Sequence, residues 1–322
     1  MTLVLLAIVL GNAAYESGNI TGGNLGLQIF WDSPELNLGI FQVQTGNFLI
    51  GIIALLLLFF GNYKTLERIL IGMVILMSLA FIITAFLTKP DWKNVFPGFI
   101  PTWNNQEFLT IVSLIGTTVV PYNLFLYASL ANKRWKKTDG VSWMRKDIGI
   151  SVILGGFVSM AILMVGASNT ATEVSSAIDV SKGLEPIFGP VAKYLMGIGF
   201  LAAGLTSSLT APLAAGLVVC GIFGWNQDLK STSMRASIGV VLMLGLIFSS
   251  LGIKPVQLIT LAQLANGILL PLISAWIIWI GSKKSIMGEL KNSNAAIAIY
   301  LMIWLITLIL GLKSIGAVFG IW

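Results

Sequence analysis

Three short stretches of this chain carry residue types that can do chemistry. The first is Asn12, Glu16 and Asn19, a carboxylate with an amide about one helical turn to either side, set in an apolar segment. Residues three and four apart share a helix face, so the three form one polar stripe. A charge inside a membrane span is expensive and defaults to a functional candidate. The stripe reads as the lining of an ion pathway or as a hydrogen-bonded seam between helices. A carboxylate costs more to bury than an amide, which favours the pathway.

The second stretch, Ile115 to Ser129, is long and apolar but holds Gly116, Pro121 and Asn123. Pro121 donates no backbone hydrogen bond and clashes with the preceding turn, so the helix must kink or open near Thr118 to Pro121. Carbonyls freed at mid-membrane are tolerated only against protein or a watery cavity, and secondary transporters use them to hold ions. A plain packing kink is the competing reading, because Pro and Gly are common in membrane helices. The third stretch is Ala262 to Gly267, where Gln263 and Asn266 fall one turn apart. Each can offer a carbonyl oxygen to a cation or a hydrogen bond to a neighbouring helix.

Composition limits the chemistry further. The chain has no histidine, which removes the usual proton relay near neutral pH and His-based zinc or haem ligation. Its single cysteine, Cys220, excludes an internal disulfide and a multi-cysteine metal site. Membrane prenyl and phosphoryl transferases need clustered carboxylates, and no such cluster is found, so an enzyme is not expected. Hydrophobic residues make up 56% and charged ones 10%, with a mean hydropathy of +0.91. A water-soluble domain does not show that balance. The net charge of +6 fits an anionic membrane surface rather than nucleic acid, because the basic residues fall in loops between apolar runs.

The elements that must position these residues are membrane helices. At about 20 apolar residues per crossing, roughly nine spans are expected, near 2–30, 46–61, 66–88, 106–131, 145–167, 184–222, 235–252, 257–281 and 294–312. The first and sixth exceed one crossing, so tilt or a helical extension is expected. Segment 199–212 is dense in Gly, Ala, Ser and Thr, the composition of close helix packing. Asp147 and Glu67 read as helix-start acids held by the helix dipole. If the first span starts in the cytoplasm, thirteen of the 19 Lys and Arg fall on the cytoplasmic side. They are Lys64 and Arg68, the six between Lys133 and Lys146, Lys230, Arg235, Lys283, Lys284 and Lys291. This is a positive-inside distribution. The opposite loops carry Asp32, Glu35, Glu173, Asp179 and Glu185, read as a solvated surface.

In order and spacing these segments resemble the Nramp family of proton-coupled divalent-metal transporters. The family's sixth-helix pattern, close to G-A-x-V-M-P-H-N-L-[YF]-L-H-S, stands here as Gly116-Thr117-Thr118-Val119-Val120-Pro121-Tyr122-Asn123-Leu124-Phe125-Leu126-Tyr127-Ala128. Its eighth-helix L-L-A-A-G-Q-S-S-T-I-T resembles Phe200 to Thr210, and its tenth-helix S-Q-V followed by L-P resembles Ala262-Gln263-Leu264 followed by Leu270-Pro271. Lys64 to Glu67 and Met287-Gly288 also fit.

The resemblance implies an all-α integral membrane protein, one domain over 1–322, with a partial inverted-repeat (LeuT-like) fold. The spans would be the family's third to eleventh helices. The chain begins at once with an apolar segment and holds no D-P-G-N motif, so it reads as lacking the family's first two helices and part of the metal site.

By position, the resemblance assigns metal contact to Thr117, Val120 and Gln263. It assigns a proton pathway or pore lining to Glu16, Tyr122, Asn123 and Asn266. Val120 stands where the family has Met, and Tyr122 and Tyr127 where it has His, so a soft ligand and proton relays are missing. The acidic residue of the family's third helix matches Glu16, while its companion Asp falls at Ala13. Oxygen-only sites suit Mg²⁺, Ca²⁺ or Mn²⁺ rather than thiophilic metals. The implied function is ion-coupled secondary transport of a divalent cation such as Mn²⁺, Fe²⁺ or Mg²⁺, in symport with protons if they couple. The place is a bilayer, expected to be the bacterial inner membrane, with no resident cofactor and no nucleic-acid partner. A sodium-coupled solute carrier of the same fold superfamily and a non-transporting truncated remnant are the alternatives.

The charge distribution makes a direct prediction. A cysteine introduced at Asp139 is expected to resist an impermeant thiol reagent added outside intact cells. Efficient labelling there would reverse the topology.

Overall fold

Apolar runs of this length can satisfy their backbone groups in hydrocarbon only by forming helices. The structure, a computed structural model, describes residues 2–38, 41–60, 63–88, 90, 92–99, 120–135, 140–168, 177–251 and 270–318. Nine long helices stand among them. They are α1 (Thr2–Leu27), α2 (Thr45–Phe60), α3 (Tyr63–Leu87), α4 (Pro121–Arg134), α5 (Gly140–Ser168), α6 (Ala192–Phe223), α7 (Thr232–Ser249), α8 (Leu270–Gly281) and α9 (Asn294–Val318). Each of the expected spans thus contains a helix. By length and composition, only α5, the stretch 185–223 that includes α6, and α7 qualify as crossings among the described residues. A fourth is gained if Lys284–Leu290 and Asn294–Ile309, bent by 114°, are taken together.

The long sixth span resolves into two parts. Short helical turns occupy Glu185–Phe188 and Gly189–Val191, and Gly189 takes a positive φ of 52° just before Pro190. The continuous helix α6 begins only at Ala192. It ends at Gly224, whose φ of 66° is left-handed and lets Trp225 N–H reach the Cys220 carbonyl at 2.8 Å. Ser231 then caps α7, its Oγ accepting from Met234 N–H at 3.3 Å.

Helix α6 is the centre of the packing. One core cluster joins Ile20 of α1, Ile50 and Ala54 of α2, Leu126 of α4, Leu205 and Leu209 of α6, and Ile238 and Leu242 of α7. A second joins Phe81 and Ala85 of α3, Ala161 and Val165 of α5, and Ala192 and Met196 of α6. The tightest pairing is α1 with α6. A Cβ on Gly26 would strike the backbone of Gly197 and Leu201, and one on Gly204 would strike the backbone of Gly23. Small residues at those positions let the two backbones meet, which is the packing role expected for segment 199–212. Gly26 meets Gly197, Gly23 meets Gly204, and Ile8 clusters with Ala215, so the two helices run antiparallel.

A two-stranded antiparallel hairpin follows α1, with Glu35–Leu38 paired to Phe41–Gln44. It is fastened to α1 by side chains. Asn24 Nδ2 donates to Gln44 Oε1 at 2.6 Å, and Gln44 Nε2 donates to Glu35 Oε1 at 3.0 Å. Glu35, read as a solvated loop acid, therefore also holds the hairpin in place.

The contrast between two glycines tests this packing. Gly26→Ala should lower the melting temperature of the purified protein, a cost of at least about 1–3 kcal/mol because backbone cannot yield. Gly22→Ala, where nothing lies within 4 Å of the new Cβ, should be neutral or stabilising by up to about 1 kcal/mol through helix propensity. Equal effects at both positions would rule out the close approach.

Candidate functional site

The polar stripe of α1 lies in the middle of the molecule. Glu16 is fully inaccessible, Asn12 is 3% exposed, and Asn19 is half-buried. Glu16 is wedged against α7 at Gly245, where an added Cβ would collide with its side chain. Ser208 of α6 faces the same carboxyl closely enough to interact with it, although the two do not meet in hydrogen-bond geometry. Asn19 Nδ2 donates to Glu16 Oε2 at 3.4 Å, a long bond. The other oxygen, Oε1, has no hydrogen-bond partner. Asn12 Nδ2 and Ser208 Oγ are likewise buried and unpartnered.

The unpaired state of Ser208 stands out against its neighbours. Thr206 and Thr210 donate to carbonyls one turn back, at 2.9 and 2.8 Å to Ala202 and Thr206. Ser17 and Thr21 on α1 do the same at 2.7 Å. A hydroxyl satisfied by its own helix is chemically quiet in an apolar setting. Ser208, Glu16 and Asn12 keep capacity in reserve, and a buried polar atom without a partner costs about 1–3 kcal/mol. No lysine or arginine forms an ion pair with Glu16 among the described residues.

Helix α4 enters beside this group. Val120 is extended, with φ −92° and ψ 127°, and Pro121 is the first helical residue. Val120 is thus not helical, and the Thr118 side of the expected discontinuity lies outside the described residues, as does the rest of 100–119. Proline suits that first position because its missing N–H would have no helical partner there. The start of α4 is held by aromatic packing. Val120, Ala14 and Tyr15 form a small cluster with Tyr122, and the Tyr15 and Tyr122 rings meet edge to face at 5.9 Å between centroids. From there α4 runs alongside α6, with Phe125 packed on the cluster of Ile8 and Ala215. The start of α4 thus sits level with Glu16, and Arg134 lies toward the end of the molecule holding the α1 N-terminus and the α6 C-terminus.

The structure brings Glu16, Val120 and Tyr122 together. Asn123 stands on the exposed side of α4, the next residue round the helix from Tyr122. Thr117, Gln263 and Asn266 lie outside the described residues. Two contributors were not visible as individuals in the sequence, Ser208 and Gly245; both belong to residue types that membrane helices use everywhere for packing. Asp147 corrects an expectation. It lies two turns into α5, not at its start, and accepts from Tyr127 Oη at 3.2 Å, so α4 and α5 are tied together through it. The side chain of Glu67 is outside the described residues. No group of three or more His, Cys, Asp or Glu residues that could hold a metal occurs among the described residues.

The family model described as natural resistance-associated macrophage protein-like (Nramp) matches residues 1–317. Three curated relatives share the name divalent metal cation transporter MntH. The one from Caldanaerobacter subterraneus subsp. tengcongensis is 26% identical over 293 residues, covering 87% of this chain and 66% of that protein. The one from Ralstonia nicotianae is 27% identical over 261 residues, with coverages of 74% and 58%. The one from Bacillus subtilis is 28% identical over 313 residues, with coverages of 92% and 69%. The chain thus spans between 58% and 69% of the length of these relatives.

The two readings of Glu16 separate by stability. Glu16→Met keeps the volume and removes an unpartnered buried carboxyl, so the purified protein should melt at the same temperature or higher, by up to about 3 kcal/mol. A clear loss of stability would show that Glu16 is a structural seam between α1, α6 and α7.

Proposed function

Because the chain belongs to the Nramp family, we propose that it moves divalent metal cations across a membrane as a secondary transporter. The observation that carries this reading is one juxtaposition. A helix begins at Val120–Pro121, level with a fully buried carboxylate that has no basic partner among the described residues. A broken helix supplies backbone oxygens at depth, and a buried carboxylate supplies charge that a passing cation or proton can neutralise. Neither feature helps a protein that only needs to pack.

In this reading the cation meets the carbonyl of Thr117 and the region of Val120 before the break, and Gln263 contributes its amide oxygen. Glu16 lines the adjoining proton or ion route with Tyr122, Asn123 and Asn266. About nine helices cross the bilayer in an inverted-repeat arrangement, and the membrane is the bacterial inner membrane. Coupling to protons has one carboxylate to rest on, Glu16, because tyrosines stand in the histidine positions and tyrosine does not exchange protons readily near neutral pH. The protein carries cations and catalyses no covalent chemistry.

Selectivity follows from Val120. Its side chain has no donor atom, so the site is built of oxygens and suits Mn²⁺ or Mg²⁺ better than soft metals. The test is metal titration of the purified protein, paired with Mn²⁺ uptake into vesicles that contain it. Wild type should take up Mn²⁺. Val120→Met should raise Cd²⁺ affinity relative to Mn²⁺ by about tenfold, the equivalent of about 1.4 kcal/mol from one soft contact. An unchanged Cd²⁺ preference in Val120→Met, with all binding lost in Gln263→Ala, would move the site away from the α4 break. Absence of Mn²⁺ uptake by stable wild-type protein would reject transport itself.

A further inference from the structure

The end of the α4–α5 hairpin carries a second feature that the transport reading does not use. Arg134 is exposed at the end of α4, and its guanidinium lies 5.0 Å from the centroid of the Trp135 ring. Arg145 and Lys146 are exposed in the second turn of α5, and the Lys146 ammonium sits 5.1 Å from the centroid of Trp143, itself 62% exposed. Gly140 abuts the Trp135 side chain so closely that a Cβ would strike it, which closes the two helix ends against each other. The sequence between them adds Lys133, Lys136 and Lys137, against the two acids Asp139 and Asp147. None of Arg134, Arg145 or Lys146 forms an ion pair among the described residues.

Directly beyond this collar, α5 turns apolar and open. Ile148, Ile150, Val152, Ile153, Leu154 and Phe157 are all exposed, and only 11% of the α5 span is buried, against 56% for the span of α6. Along α5, Trp143, Arg145 and Lys146 are thus followed by a continuous hydrocarbon face, with Arg134 and Trp135 of the α4 end beside them. Nucleic acid or an acidic peptide would match the charges and leave the apolar face unused. A phospholipid with an anionic headgroup matches both, headgroup on the collar and acyl chain along α5.

We propose that the α4–α5 end is a binding site for anionic phospholipid, with Arg134, Arg145 and Lys146 holding the headgroup and Trp143 seated at the interface. The lipid would clamp the hairpin whose first helix starts at the Val120 break. Its binding does not depend on which cation is carried.

The experiment is thermal melting of the purified protein in neutral detergent. Phosphatidylglycerol, phosphatidylcholine of the same acyl chains, or inorganic phosphate is added. Phosphatidylglycerol should raise the melting temperature, and the rise should shrink as sodium chloride goes from about 50 mM to about 500 mM, where charge interactions are screened. Phosphatidylcholine and phosphate should each give less than half of that rise. The combined variant Arg134→Gln, Arg145→Gln, Lys146→Gln should lose at least half of it. The variant Lys283→Gln, Lys284→Gln, Lys291→Gln, which removes a smaller basic cluster beside Trp279, should keep it. Equal rises with the two lipids overturn the proposal. So does a phosphate effect as large as that of phosphatidylglycerol, or a rise that survives in the first variant. Should the first variant fail to fold, the salt dependence in wild type decides alone, and a salt-independent rise overturns the proposal.

Discussion

The backbone contact between α1 and α6 is the constraint on which the rest of this structure depends. Without a hydrophobic drive between helices in lipid, association rests on van der Waals packing, interhelical hydrogen bonds and lipid entropy. Gly23, Gly26, Gly197 and Gly204 leave the two helices room to touch along their backbones. That closeness draws the face of α1 bearing Asn12, Glu16 and Asn19 into the interior. It also makes α6 the common wall of the two larger core clusters, so that α2, α3, α4, α5 and α7 all take their places against it or against helices that touch it.

Burying that face has consequences that only polar accounting reveals. Most hydroxyls near the contact turn back on their own helices and are spent. Glu16, Asn12 and Ser208 are not, and they lie within one neighbourhood. Gly245 completes the arrangement by giving the glutamate side chain space against α7. A membrane protein that retains unpaired polar atoms beside the start of α4 has a structure shaped for something other than stability.

The periphery obeys different rules. Helix α5 is closely packed only on its α3 side and at the second core cluster, and it leaves most of its span to lipid. Tyr127 and Asp147 join α4 to α5 near the basic end, so what happens at the membrane surface is mechanically close to the helix that begins at Val120. The outer hairpin is held by an amide ladder from Asn24 through Gln44 to Glu35. The two ends of the molecule are thus fixed by polar contacts, and the middle by small residues.

Much of this was legible in the residues alone. Long apolar runs must be helices in hydrocarbon, a proline at position 121 must interrupt a helix, and a glutamate among apolar neighbours must have a reason to be there; each is a local rule that needs no partner to apply. The order of the motifs carried the family as well. What the sequence could not decide was which polar residues would end up facing one another without a bond. Thr206, Ser208 and Thr210 look alike in a row, and only the rotation of α6 against α1 leaves Ser208 alone turned to Glu16. Asp147 looked like a helix-start acid because local signals do not fix where a helix begins to within two turns, and the structure gives it to Tyr127 instead. Gly245 carried no signal at all, since a glycine reports the space it leaves only when the side chain that fills it, here Glu16 of α1, has arrived from another helix.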